Sequence, residues 1–300
     1  MARAFANIGG QNYVFDDEDL AAGAIRAFLF GTSNATKHCK DRRKMAISFK
    51  SIRKTGAPRP PRTIIYGTEG VGKTTFGASA PKPIFLPTED GLDAMKVDAF
   101  PLLRSWSDIE EALGVLANED HDFETVVLDS ADWAENLILQ QVAKDHGLES
   151  YDSNAKPLAY GRGGRAAADY ARRLIDGLDH LRNEKNMGVI VLAHSQVKRF
   201  DDPTTDAYDR YQLDLDKNVA SVLVEWADVV GFANFRVSVK EETVGINAKK
   251  KRGLGSGERL LFTQEKPAFK AKSRWSIPAE MPFEYSAFSA ALADAMAETA

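Results

Sequence analysis

Thr63-Ile-Ile-Tyr-Gly67-Thr-Glu-Gly70-Val-Gly72-Lys73-Thr74-Thr75 is a short apolar run that breaks into G-x-x-x-x-G-K-T. Gly67, Gly70 and Gly72 allow the backbone to turn its N–H groups inward around a phosphate chain. Lys73 supplies a point charge for the outer phosphates, and the Thr74 hydroxyl suits a magnesium ion. Ile64, Ile65 and Tyr66 form the strand, and Thr74 to Ala80 opens a helix whose N-terminus faces the anion. Gly67, Thr68, Glu69, Gly70, Val71, Gly72, Lys73, Thr74 and Thr75 are therefore read as one nucleotide cradle.

From Thr63 onward, apolar runs alternate with helical patterns, the signature of an α/β fold with a mainly parallel sheet. The runs are Thr63–Tyr66, Pro83–Leu86, Thr125–Leu128 and Val189–Ala193. Helical stretches lie around Trp106–Ala117, Trp133–His146 and Arg165–Asn186. In the last, Tyr170, Leu174, Leu178 and Leu181 recur at helical spacing and predict a buried stripe. Toward the C-terminus, Val229–Val239, Arg259–Phe262 and Arg274–Ile277 read as strands added antiparallel at the sheet edge. A final helix is expected over about 283–297, with Phe288, Leu292 and Met296 on one face.

The first 44 residues differ in character. They hold one candidate helix, Asp19 to Phe30, and a basic stretch ending in Lys40-Asp-Arg-Arg-Lys44. Met45 then opens a compact pattern, so the ATPase-like domain is expected over 45–300. Either Met45 is the physiological start or residues 1–44 are an N-terminal arm.

The bulk numbers are those of a water-soluble globular chain: 44% hydrophobic and 27% charged residues. One cysteine, Cys39, excludes an internal disulfide and fits a reducing cytoplasm. No stretch approaches the roughly 18 apolar residues of a membrane helix. A net charge of −4 argues against wholesale nucleic-acid coating but leaves room for a local basic groove.

Three strand ends supply the chemistry. Thr125-Val-Val-Leu-Asp129 finishes in an acid that can hold magnesium beside the cradle, together with Thr74. The next residue is Ser130, where many phosphate-loop ATPases carry a glutamate, so the water-activating base must come from elsewhere. Glu89, after the strand Pro83–Leu86, is the best candidate, with Asp90 as fallback. Val189-Ile-Val-Leu-Ala-His194-Ser-Gln196 brings His194 or Gln196 to the same edge as a γ-phosphate sensor.

This order of cradle, strand–Glu, strand–Asp-Ser and strand–polar sensor resembles the RecA-type ATPase core. More narrowly, the chain is similar to phage RecA-core, AAA-family nucleotide-binding proteins that act as single-strand annealing recombinases. The stretches that carry the likeness are Gly67–Thr75, Leu86–Asp93, Thr125–Ser130, Tyr160-Gly-Arg-Gly163, Leu178–Gly188, Ala193–Gln196, Glu225–Val229 and Ala271–Pro278. The resemblance implies ATP and Mg2+ as cofactors, Glu89 as the base and His194 as the sensor. It also implies that Lys272 and Arg274 reach the γ-phosphate held by an adjacent subunit, with Lys270 as a substitute for Lys272. Such a protein is a homo-oligomer, ring or filament, and works in the bacterial host cytoplasm if phage-encoded.

Two long stretches stand where RecA-like proteins grip single-stranded DNA. One, about 149–165, carries Tyr151, Lys156, Tyr160, Arg162 and Arg165. The other, about 197–217, carries Lys198, Arg199, Phe200, Arg210, Tyr211 and Lys217, diluted by six aspartates. Basic residues among aromatics suit a strand whose phosphates need charge and whose bases stack. Arg162, Arg165, Lys198, Arg199, Arg210 and Tyr211 are the expected contacts. A basic run, Lys249–Arg252, reads as a protruding hairpin tip within about 240–260.

The leading expectation is an ATP-dependent, single-stranded DNA-binding recombination protein that promotes annealing or strand pairing. A single-strand-binding protein is a candidate partner, and no membrane is involved. The competing classes are a helicase-like motor or loader, a nucleotide-gated interaction module without DNA, and a small-molecule kinase. The last leaves Lys272, Arg274 and both long stretches unexplained.

Overall fold

The computed structural model describes residues 4–8, 11–15, 59–93, 95–243 and 249–299. The expected helix Asp19–Phe30 and the Met45 boundary lie outside them. By internal contacts the chain divides into two units, Met1–Ala57 with Ser107–His121 and Pro58–Trp106 with Asp122–Ala300. In the first, β1 (Ala4–Ile8) and β2 (Gln11–Phe15) form an antiparallel hairpin.

The second unit holds a large mixed sheet. Its strands are β3 (Arg62–Gly67), β4 (Pro83–Pro87), β5 (Asp98–Ala99), β6 (Thr125–Asp129), β7 (Gly188–Phe200), β8 (Tyr208–Leu213), β9 (Val229–Thr243), β10 (Lys249–Phe262), β11 (Lys272–Ser273) and β12 (Glu280–Pro282). Helix α2 (Trp106–Asn118) belongs, from Ser107 on, to the first unit; the helices of the second are α1 (Lys73–Ala78), α3 (Ala131–Asp145), α4 (Arg162–Glu184), α5 (Lys217–Trp226) and α6 (Tyr285–Thr299). Strand order is β12-β10-β9-β3-β7-β6-β4-β5, with β8 on β7 and β11 on β9. The strands from β9 to β5 run parallel, and β10, β11, β12 and β8 are antiparallel additions. A mainly parallel sheet with helices is the architecture of a phosphate-loop NTPase. Parallel strands covered on both faces need unbroken apolar runs, and all five residues of Thr-Val-Val-Leu-Asp in β6 are buried.

Strand β7 lies between β3 and β6. Gly67 is opposite His194, Leu192 opposite Asp129, and Asp129 opposite Pro87. The carboxyl ends of β3, β7, β6 and β4 therefore finish on one edge. Helix α1 leaves that edge under an aromatic clamp. Phe76 stacks on Phe283 with ring centroids 5.0 Å apart and meets Phe288 of α6 at 5.6 Å. Gly77 admits no side chain, since a Cβ there would stand 2.9 Å from Val127 Cγ1.

The elements differ from expectation in three instructive places. Stretch 197–217 is mainly a hairpin, β7 running on to Phe200 and returning as β8. In the α4 stripe Leu174, Leu178 and Leu181 are buried. Tyr170 is only half-buried, its hydroxyl donating to Asp145 at 2.5 Å. Over 274–277 pairing stops at Ser273. The Ser273 hydroxyl accepts from Trp275 N–H and donates to Trp275 O, a local turn that competes with the ladder.

At the opposite edge, Asp228 is a hub. Its carboxylate accepts from Arg62 backbone N–H and Nε at 3.0 Å and from Nη2 at 2.7 Å. Arg274 Nη1 lies 3.0 Å away. Burial raises the Asp228 pKa, but the bonds from Arg62 outweigh it and hold the carboxyl below its ordinary value. Removing one partner of a buried ion pair strands the other. Asp228→Ala should therefore lower stability by about 3 kcal/mol in urea unfolding. Because the folded pKa is depressed, this contribution is present above the unfolded value of about 3.9 and fades as pH falls. The variant should accordingly lose less stability than the parent on acidification through that range.

Candidate nucleotide site

The cradle is built as its sequence requires. Gly70 and Gly72 have φ of 70° and 100°, the left-handed region in which a side chain is strained. Gly67 is closed in from one side, because a Cβ there would fall 2.2 Å from Ala233 O on β9. Lys73 is buried and folds back over the loop, donating to Gly67 O at 3.1 Å and Thr68 O at 3.2 Å. Desolvation lowers its pKa against the pull of Asp129, Asp132, Glu89 and Glu69.

Thr74 Oγ1 donates to Asp129 Oδ2 at 2.9 Å. Cradle and strand-end acid are thus in direct contact, although β7 separates their strands. Two oxygen donors at this spacing are the hard ligands a magnesium ion takes, with water and phosphate completing its shell. Burial raises the Asp129 pKa, and the bond from Thr74 and the charge of Lys73 counter it.

Glu89 is fixed through the residue before it. Thr88 N–H donates to Asp129 O at 2.8 Å. The Thr88 hydroxyl donates to Ser130 O at 2.7 Å and accepts from Ser130 N–H at 2.9 Å. The Asp129–Ser130 peptide is cis. These bonds lock the end of β4 to the end of β6 and fix where Glu89 leaves the sheet. Desolvation raises the Glu89 pKa, and His194 opposes that shift. A carboxylate with a raised pKa is a better proton acceptor near neutrality.

His194 has a partner that sequence reasoning missed. Asp132, in the first turn of α3, accepts from His194 backbone N–H at 3.0 Å and lies 2.9 Å from Nδ1. The carboxylate orients the ring and leaves Nε2 for another contact. The signal was in the sequence: Asp132 stands three residues after Asp129, in the first turn of the helix that begins after Ser130. Gln196 instead donates to Leu213 O within the hairpin. The structure brings Thr74, Asp129, Glu89 and His194 to one edge.

Lys272 and Arg274 are not at that edge. Lys272 pairs with Val230, itself opposite Ile64, and Arg274 N–H donates to Asp228 O beside Arg62. From Arg62 to Gly67 the sheet runs about 16 Å at about 3.3 Å per residue. Neither side chain reaches its own cradle; both touch Glu225 O, at 3.2 and 3.4 Å.

The six expected DNA contacts separate by exposure. Arg165, Lys198 and Arg199 are exposed, as is Arg162, which bonds Lys156 O and Ala159 O of its own loop. Tyr160 beside them is 92% exposed. Arg210 is a correction: it is buried, paired with Glu265 at 2.7 Å and set over the Phe200 ring. Tyr211 is half-buried, its ring stacked on Phe232 with centroids 5.0 Å apart. The run Lys249–Arg252 lies within β10, opposite Lys240–Thr243. Among the described residues no helix is long and apolar enough to cross a membrane.

Residues 59–275 match the family model described as AAA domain. The chain belongs to the AAA domain family. Over 89 residues it is also 27% identical to the SPbeta prophage-derived uncharacterized protein YorG of Bacillus subtilis (strain 168). That match covers 28% of this chain and 28% of YorG. Membership accounts for the cradle and marks this AAA domain as a nucleotide-dependent phosphate-loop protein.

The Asp132 bond raises the His194 pKa against burial, which lowers it. Asp132→Asn should bring it back down, read from the imidazole resonances in a pH titration by NMR. A raised folded pKa gives stability that is complete below the unfolded value of about 6.5 and is lost as pH rises through the folded one. That alkaline decline should flatten in Asp132→Asn.

Proposed function

We propose that this AAA domain is a RecA-like ATPase that assembles with copies of itself, grips single-stranded DNA and promotes annealing or strand pairing. The observation that carries the reading is the separation of Lys272 and Arg274 from the cradle of their own chain. Cations that stabilise charge on a transferring phosphoryl group must touch it. A pair on the far edge of the sheet serves that role only for a neighbour stacked head to tail.

Within one chain the roles follow from the bonds. The loop N–H groups and Lys73 hold the phosphates. Thr74 and Asp129 would hold a magnesium ion, which when bound would supply positive charge against the phosphates. Glu89 takes the proton of the attacking water, and His194, braced by Asp132, reads the terminal phosphate through Nε2. His194 begins the protruding part of β7, whose hairpin carries Lys198 and Arg199. Tyr160, Arg162 and Arg165 add a second exposed patch, with an aromatic face for bases and charge for phosphates. The prophage origin of YorG fits a phage setting.

Glu89→Gln should bind ATP about as well as the parent while hydrolysing it on the order of a hundredfold more slowly. Lys73→Ala and Arg274→Ala proteins, each inactive alone, should regain activity when mixed. At equal amounts about a quarter of interfaces would join an intact cradle to an intact finger. No recovery at any ratio would remove the trans assignment. Lys198→Ala with Arg199→Ala should weaken oligonucleotide binding and flatten its salt dependence by about two phosphate contacts.

A further inference from the structure

The polar groups that mark the outer phosphates come from β3, β4, β6 and β7. A nucleotide lying in the cradle must therefore direct its sugar and base toward the other lip, beside β9 and β10. That lip is built. Thr68 Oγ1 lies 3.3 Å from Asn234 Oδ1, which also accepts from Phe235 N–H at 2.9 Å. Arg259 reaches across from β10: its Nη1 lies 3.5 Å from Val71 O, and a Cβ at Gly72 would stand 2.6 Å from it. This long contact uses one donor of a fork that carries five.

Arg259 and Phe235 are directly opposed across the antiparallel β9–β10 pair, so their side chains leave the same face of the sheet. It is the face from which Leu261 and Ala233, each two residues away, enter the core with Phe76. Among the described residues Phe235 is one of four exposed large hydrophobic residues, at 36%. A guanidinium and an open aromatic ring thus stand together on the β9–β10 side of the cradle, with β3 and β7 between their strands and the strand of Asp129.

We propose that Arg259 and Phe235 form the subsite for the nucleoside end of the nucleotide, Arg259 meeting the phosphate next to the sugar and Phe235 stacking on the base. The inference rests on nucleotide binding at Gly67–Thr75 and adds which residues hold the inner half of the ligand. Arg pairs with phosphate through two parallel N–H bonds, which lysine cannot reproduce. Aromatic stacking is indifferent to base identity, so this subsite secures affinity more than discrimination.

The test is titration of Mg-ADP into the full chain by calorimetry, alongside 1,N6-etheno-ADP, whose emission reports stacking. Arg259→Ala and Phe235→Ala should each weaken ADP about tenfold. Arg259→Lys should fall between parent and Ala, and Phe235→Tyr should match the parent. Any emission change on binding to the parent should disappear in Phe235→Ala. Unchanged ADP affinity in Arg259→Ala, or etheno emission that is the same in parent and Phe235→Ala, overturns the subsite alone. Absence of ADP uptake by the parent overturns nucleotide binding and the subsite with it.

Discussion

The parallel ladder joining β3, β7 and β6 is the constraint on which the site depends. Its register sets Gly67 level with His194 and Leu192 level with Asp129. Side chains from three strands, separated by tens of residues in sequence, therefore end within reach of one ligand. A slip of one residue would turn each strand's side chains to the other face and separate Thr74 from Asp129. The slip is prevented because both faces are covered: every residue of β6 is buried, and Gly67 fits against Ala233 O with no room for a side chain.

Around this frame, polar residues fix one another in pairs. Thr88 ties the end of β4 to the Asp129–Ser130 backbone, and Asp132 ties α3 to His194. Both are hydrogen bonds with a buried or half-buried carboxylate or hydroxyl, where a missing partner is costly. They fix the backbone at Glu89 and the ring of His194. In the proposed ATPase a nucleotide would then meet groups already oriented, which avoids reorganisation at the moment of reaction.

What the sequence revealed follows from how local each signal is. The cradle, β6 ending in Asp129 and the buried run of β7 up to His194 were legible because motif and apolar run are contiguous. The α4 stripe was legible where leucines recur, and failed at Tyr170, whose hydroxyl has a partner on another helix. Arg210 was misread because an arginine among aspartates looks solvated. Its true partner, Glu265, is 55 residues away, and the Phe200 ring comes from the facing strand. The hairpin of β7 and β8 is hidden in the sequence because its polar composition conceals an antiparallel pairing whose register no local pattern specifies. Asp132 was missed since an acid in a first helical turn usually reads as complementing the helix dipole.

The bond between Arg274 and Asp228 bears on whether the finger of the proposed ATPase is free to act. Were Asp228 to depend on Arg274, releasing it would strand a buried carboxylate, and a structural ion pair would be the better reading. Asp228 does not depend on it. Arg62 contributes three hydrogen bonds to the same carboxylate, and Arg182 adds a cation at 3.7 Å. The Arg274 side chain is itself 53% exposed, so solvent screens its share of the attraction. Its departure toward a phosphate would cost about 1 kcal/mol or less, well below what a cation beside a transferring phosphoryl group contributes. In the proposed assembly Asp228 would thus act as a rest from which a neighbouring nucleotide draws Arg274, while Arg62 keeps the carboxylate satisfied.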